Sequence, residues 1–95
     1  MAGSNSKLNA ASYLILIKEG KTLLLLRKNT GYRDGYYGLP AGRLEPGESF
    51  TDCLIREAKE EANLTIQRKD LEVLHIMNRF EQYNEINEWV DVFFT

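Results

Sequence analysis

Ninety-five residues, 43% of them hydrophobic and 27% charged, suffice for one domain near the low end of independent stability. A net charge of −2 gives no basic footprint for duplex nucleic acid, so an anionic ligand needs local arginines, backbone N–H groups or a metal ion. The single cysteine, Cys53, rules out an internal disulfide and suits a reducing cytoplasm, and no run approaches the roughly 18 to 20 apolar residues of a membrane span.

The opening "MAGSNSKLNA" reads as a flexible leader or expression scar, leaving residues 11–95 as the domain. "SYLILIK" (12–18) and "TLLLLR" (22–27) are strand candidates joined by a tight turn at "EGK", an antiparallel hairpin. "KNTGYRDGYYG" (28–38) is a loop with three tyrosines, "LP" (39–40) a short strand, and "AGRLEPGE" (41–48) a second loop. Ser49 then opens a helix as its N-cap, with Asp52 three residues on as a capping-box variant. The helix runs to Ala62, and Asn63 falls where a left-handed terminating residue is expected. "TIQRKD" links to a strand over 71–80; "EQYNEIN" turns the chain into a last strand, "EWVDVFFT" (88–95). The sequence stops inside that apolar strand, which points to a domain incomplete at its C-terminus or completed by a partner chain, with a homodimer the candidate, against the alternative of a strand that is simply the last.

The helix concentrates acids. At about 100° per residue, with Glu57 at zero, Glu61 falls near +40° and Glu60 near −60°. Leu54, Ile55, Ala58 and Ala62 fall from roughly +60° to +160°, the core-facing stripe. Lys59 and Asp52 point to water. The three glutamates therefore flank the core, where carboxylates are poorly solvated unless a positive group neutralises them. Arg56 reaches Glu60 at i+4, but one arginine cannot balance three acids. Mg²⁺ can: it takes oxygen ligands and keeps waters that leave it free to bridge to phosphate. The competing reading, a solvated acidic face, is the common fate of a charge run. It is disfavoured by the border position and by the Gly- and Pro-punctuated loop ahead, which brings a fourth acid, Glu48.

Gly42, Glu48, Arg56, Glu57, Ala58, Glu60, Glu61 and Leu64 fall at the spacing G-x5-E-x7-R-E-U-x-E-E-x-G-U, with U aliphatic. This resembles the Nudix box, departing from it only at Asn63, where the box has Gly. The resemblance covers residues 11 to 95. It implies an α/β (α+β) fold, an α/β/α sandwich with a mixed sheet and one central helix, and Mg²⁺-dependent hydrolysis (Mn²⁺ a substitute) of a diphosphate linked to a moiety X. By resemblance Glu60 and Glu61 are the first metal ligands, and Glu57 is a ligand or the base that activates water. Glu48 is an auxiliary ligand or the holder of Arg56, which orients the glutamates. The backbone carbonyl of Ala41 is a further ligand. The family often adds a catalytic Glu well after the box; Glu85 and Glu88 are weak candidates here.

Outside the box, Arg27 is a candidate phosphate contact, against the reading of an exposed strand-end arginine, and Arg33, with the box residue Gly42, is assigned to the substrate site. Of Tyr32, Tyr36 and Tyr37, two are expected to pack against the sheet; stacking of one on a base is the competing reading, with Tyr36 the residue assigned to substrate. Trp89 reads as core or interface packing, His75 as a satisfied sheet histidine, and Cys53 as a half-buried packing residue. The expected function is hydrolysis of a small nucleotide substrate: a nucleoside phosphate, an oxidised nucleotide, ADP-ribose or a nucleotide sugar. The alternatives are a Nudix-fold binding or regulatory module without turnover, and an acid-rich interaction domain with an accidental motif.

Overall fold

The computed structural model describes residues 8–26, 35–82 and 86–95. Its centre is a four-stranded mixed sheet built from β1 (Leu8–Leu14), β6 (Ala41–Arg43), β7 (Val73–Gln82) and β8 (Ile86–Phe94), in the order β6-β1-β8-β7. β1 runs parallel to β8, Leu8 opposite Glu88 through Leu14 opposite Phe94, and antiparallel to β6. Two small ladders lie outside it. One joins β2 (Ile17–Lys18) to β3 (Lys21–Thr22), and the other joins β4 (Leu25–Leu26) to β5 (Tyr37–Gly38).

These pairings revise the expected hairpin. The first strand begins at Leu8, inside the stretch set aside as a leader, because its pairing with β8 gives Leu8–Ala10 backbone partners. It ends at Leu14, and only Ile17–Lys18 and Lys21–Thr22 form the hairpin. The turn was located correctly: Glu19 and Gly20 both have positive φ, at 53° and 75°, the backbone twist that suits a two-residue hairpin loop. The leucine run does not make one strand, since Leu25–Leu26 pairs with Tyr37–Gly38 instead. Ala41–Arg43, expected in a loop, is a strand, and the expected strand at Leu39–Pro40 is the link between β5 and β6.

The helix α1 (Phe50–Ala62) follows its sequence signals closely. Ser49 Oγ accepts from the Asp52 N–H at 3.0 Å, and the Asp52 carboxylate accepts from the Ser49 N–H at 3.3 Å, closing the capping box. Asn63 sits at φ 54°, ψ 31°, and its N–H bonds back to Lys59 O at 3.1 Å. The helix buries Cys53, Leu54 and Ala58 against one sheet face, where Leu54 joins Leu14, Val92 and Phe94 in the core. Fully burying one such leucine contributes about 1.5–3 kcal/mol. Buried Ser12 ties the layers together, its hydroxyl donating to Phe50 O at 2.7 Å.

The other sheet face carries Tyr13, Trp89, Asp91, Phe93 and Arg79, as period-2 alternation dictates. Tyr13 stacks on Phe93 with centroids 4.7 Å apart. Asp91 is fully buried, and Arg79 donates to its Oδ2 and to Glu81. The Arg79 and Arg43 guanidinium groups lie 4.7 and 5.1 Å from the Trp89 ring centroid. Trp89 is thus a half-buried packing residue, in line with the sequence reading. Burial would lower the Arg79 pKa, but the hydrogen bond and charge of Asp91 outweigh it and raise the value. Burial first, then the Asp91 charge, raises that of Tyr13. Among the described residues, one helix covers one face of the sheet, and no helix is long and apolar enough to cross a membrane.

Candidate active site

The site grows from the loop between β6 and α1. Glu45–Glu48 is a β-turn, closed by the Glu48 N–H donating to Glu45 O at 3.0 Å, with Pro46 at its second position and Gly47 at φ 84° in its third. The turn also lets the Glu45 N–H donate to Glu48 Oε1 at 2.9 Å. The Glu48 carboxylate is thereby aimed at the helix, where Arg56 grips it with Nε to Oε2 at 2.6 Å and Nη2 to Oε1 at 2.9 Å. Such paired bonds fix geometry as well as energy.

Arg56 is the hub. Its Nη1 donates to Glu57 Oε1 and, at 3.3 Å, to Glu60 Oε2, while Nη2 also donates to the Arg43 carbonyl at 3.2 Å. Glu45 adds a fourth carboxylate at 3.7 Å. The bonds from Glu48, foremost, raise the Arg56 pKa. The Arg56 hydrogen bond, then that of the Glu45 N–H, holds the Glu48 carboxyl below its ordinary range. A carboxylate with a lowered folded pKa stabilises the fold fully above its unfolded value, about 4.3 for Glu, and loses that contribution as pH falls through the lower folded value. The melting temperature should accordingly fall on acidification below about pH 4, and Glu48→Gln should flatten that limb in a pH series of thermal melts.

Gly42 has a specific task. A Cβ on it would lie 2.1 Å from Glu57 Cγ and 2.2 Å from Cδ, so the Glu57 side chain crosses the place where any other residue would put its side chain. This close approach leaves the Glu57 side chain 16% exposed, against 59% for Glu60. The helical wheel placed all three glutamates at the core border. Only Glu57 is held there, while Glu60 and Glu61 are exposed, because the sheet edge at β6 ends beside the helix. Glu61 is nonetheless engaged, accepting from the Ala41 N–H at 3.1 Å. Pro40 O accepts from the Leu14 N–H and the Leu44 N–H donates to Ala10 O, so ladder alternation turns the Ala41 N–H and C=O away from β1, toward the glutamates' side.

Gly42 was assigned to substrate, but its space is taken by Glu57 and its carbonyl accepts from Cys53 Sγ at 3.4 Å. Cys53 is fully rather than half buried, and burial raises its thiol pKa ahead of the acidic neighbours. Tyr36 and Tyr37 are both exposed, so neither packs on the main sheet; Tyr37 lies in the β4–β5 ladder, which stands apart from it. His75 is exposed on β7, its ring 6.0 Å from that of Phe93. Arg27, Tyr32, Arg33 and Glu85 lie outside the described residues. Sequence reasoning missed the backbone's share of the site, the Arg43 carbonyl and the Glu45 N–H. Residue type carries no signal for the first; the Pro-Gly turn was the signal for the second.

Among the described residues, no three His, Cys, Asp or Glu side chains stand close enough together to hold a metal ion as placed. Four carboxylates within reach of one guanidinium are still an excess of negative charge made wholly of hard oxygen donors. That donor chemistry fits Mg²⁺ rather than a soft metal.

The sequence profile of the NUDIX domain family matches residues 7–95. Over 56 residues, 59% of this chain, it is 43% identical to the NAD-capped RNA hydrolase NudC of Pseudomonas fluorescens, of which that match covers 20%. Over 57 residues, 60% of this chain, it is 40% identical to an ADP-ribose pyrophosphatase of Methanocaldococcus jannaschii, covering 33% of that protein. The matched segments therefore span a third or less of the length of these relatives. A crystal structure of a MutT NUDIX hydrolase from Burkholderia pseudomallei superposes on 94% of the chain with a TM-score of 0.78 at 21% identity, covering 66% of that protein. The family profile matches residues 7–95, and with Glu48, Glu57 and Glu60 gathered round Arg56 on a matching fold, the chain belongs to the NUDIX domain family.

Proposed function

We propose that this chain hydrolyses the diphosphate linkage of a nucleoside diphosphate-X substrate. The observation that carries the reading is the convergence of Glu48, Glu57 and Glu60 on Arg56, with Glu57 seated over Gly42.

Glu60 and Glu61, exposed on the last turns of α1, would hold Mg²⁺, or Mn²⁺ in its place, with the Ala41 carbonyl as a further donor. Bound there, such an ion would offset phosphate charge and acidify water. The rest falls to the chain. Glu57, fixed at Oε1 by Arg56, is the base that takes a proton from the attacking water. Glu48 is a positioning residue: both its oxygens serve Arg56, which supports its role as holder rather than ligand. Arg27 and Arg33 are proposed to contact phosphate, and exposed Tyr36 to stack on the base. A cytoplasmic location suits the free thiol of Cys53, and a homodimer belongs to the same reading.

The test is incubation with Mg²⁺ and a panel of nucleoside triphosphates, oxidised nucleotides, NAD, ADP-ribose and nucleotide sugars, with products resolved by chromatography. ADP-ribose belongs in the panel because one relative is named for it, and NAD is included as the cap moiety in the name of the NAD-capped RNA hydrolase. Hydrolysis is expected, with Glu60→Gln cutting it and weakening Mg²⁺ binding at least about tenfold. A folded chain that binds a panel member without cleaving it would instead establish the silent module.

A further inference from the structure

The sheet has two edges. β6 is three residues long and flanked by α1, and its Ala41 N–H is already taken by Glu61. β7 is ten residues long with no neighbour among the described residues on its outer side. Phe94 O accepts from the Ile15 N–H, so even-numbered residues of β8 turn their backbone toward β1 and odd-numbered ones toward β7. Their partners His75, Met77 and Arg79 are thus bonded inward, and Ile76, Asn78 and Phe80 present N–H and C=O to the open edge. On the α1 side of the sheet, Ile76 and Phe80 are 62% and 65% exposed. A long, apolar, unbonded edge is a template for another strand.

We propose that a second copy of this chain docks antiparallel along β7, about a dyad through Asn78, joining two sheets into one. This gives the proposed homodimer its interface and is independent of the hydrolase reading. The register is chosen by side-chain chemistry. With Asn78 opposite its own copy, Ile76 faces Phe80 of the partner subunit, and Phe80 faces the partner's Ile76, so these two exposed apolar residues pair with each other. On the other side His75 faces the carboxylate of the partner's Glu81, and Met77 faces the partner's Arg79. No like charges meet. Moving the dyad one position toward Gln82 sets Arg79 against its own copy, and like charges directly opposite destabilise a ladder. Moving it to Phe80 leaves Ile76 beyond the strand end at Gln82. The contact is isologous, so it closes at two copies.

The experiment is light scattering on size-separated chain over a concentration series, with Ile76→Lys, Phe80→Glu and the double variant. Twice the chain mass is expected for the wild type, the single-chain mass for each single variant, and a restored dimer for the double variant, where the lysine introduced at position 76 meets the glutamate introduced at position 80 of the partner subunit. Circular dichroism confirms the fold of each. Hydrogen exchange on the wild type needs no variant: the Ile76, Asn78 and Phe80 amides should be protected as strongly as those of Met77 and Arg79. A monomer throughout overturns both the interface and the homodimer. A dimer indifferent to the single variants, or with fast exchange along β7, overturns the interface alone. An assembly growing without limit overturns the dyad.

Discussion

Gly42→Ala should lower the proposed diphosphate hydrolysis about 100-fold, the scale on which a displacement of about 1 Å costs activity. The new Cβ would overlap Glu57 Cγ and Cδ, at 2.1 and 2.2 Å, so the carboxylate must leave its seat. The obstacle is a side chain and not the sheet, so Glu57 can rotate outward and the fold survives; the cost falls on kcat more than on the melting temperature. Arg56 would then lose its Glu57 bond while keeping the paired bonds to Glu48. Steady-state kinetics with thermal melts on the same samples decide it. If kcat is unchanged, the placement of Glu57 beside β6 has no part in the chemistry.

Arg79→Ala should be the most damaging substitution to stability, at about 3 kcal/mol, near the low end of the cost of orphaning a buried charge. Asp91 is fully buried, its Oδ2 bound by Arg79 and its Oδ1 without a hydrogen-bond partner among the described residues. The low end applies because the Arg79 side chain keeps 27% exposure, which lets water reach the site once the guanidinium is gone. Against a total of about 5–15 kcal/mol for a domain, that is a large share. Urea unfolding of the single variant and of Arg79→Met with Asp91→Leu separates two causes. The double variant should recover most of the loss, because an apolar pair of similar volume is not penalised as a lone buried carboxylate is. A double variant as weak as the single one would mean that the ion pair itself, with its contact to Trp89, stabilises the fold.

What the sequence disclosed tracks how local the controlling interaction is. Ser49, Asp52 and Asn63 act within one helical turn, and α1 starts and stops where they direct. Glu19-Gly20 is equally local, and the turn forms there. Strand bounds were less legible: β1 reaches back to Leu8 because residues near the other end of the chain supply its partners. In the site, the spacing of Gly42, Glu48, Arg56, Glu57 and Glu60 named the participants, and distances between them gave their division of labour. The wheel treated Glu57 and Glu61 as similar. A glycine across the gap separates them, admitting Glu57 and leaving Glu61 to the Ala41 N–H. Buried Asp91 went unnoticed in "EWVDVFF", although its alternation with Trp89 and Phe93 put all three on one face.

The parallel pairing of β1 with β8 bears on how the chain acquires this structure. Leu8 and Glu88 are partners about 80 positions apart, and every pair between these strands spans the same distance. Closing so long a loop must precede any gain from the central ladder, which places the chain among slow, non-local folders. During synthesis β1 can emerge and wait, but the middle of the sheet cannot form until β8 has followed. In that interval the contacts available are local ones, such as those of the capped helix and the small hairpin, which are marginal on their own, and the nascent chain is at its most exposed to misassociation.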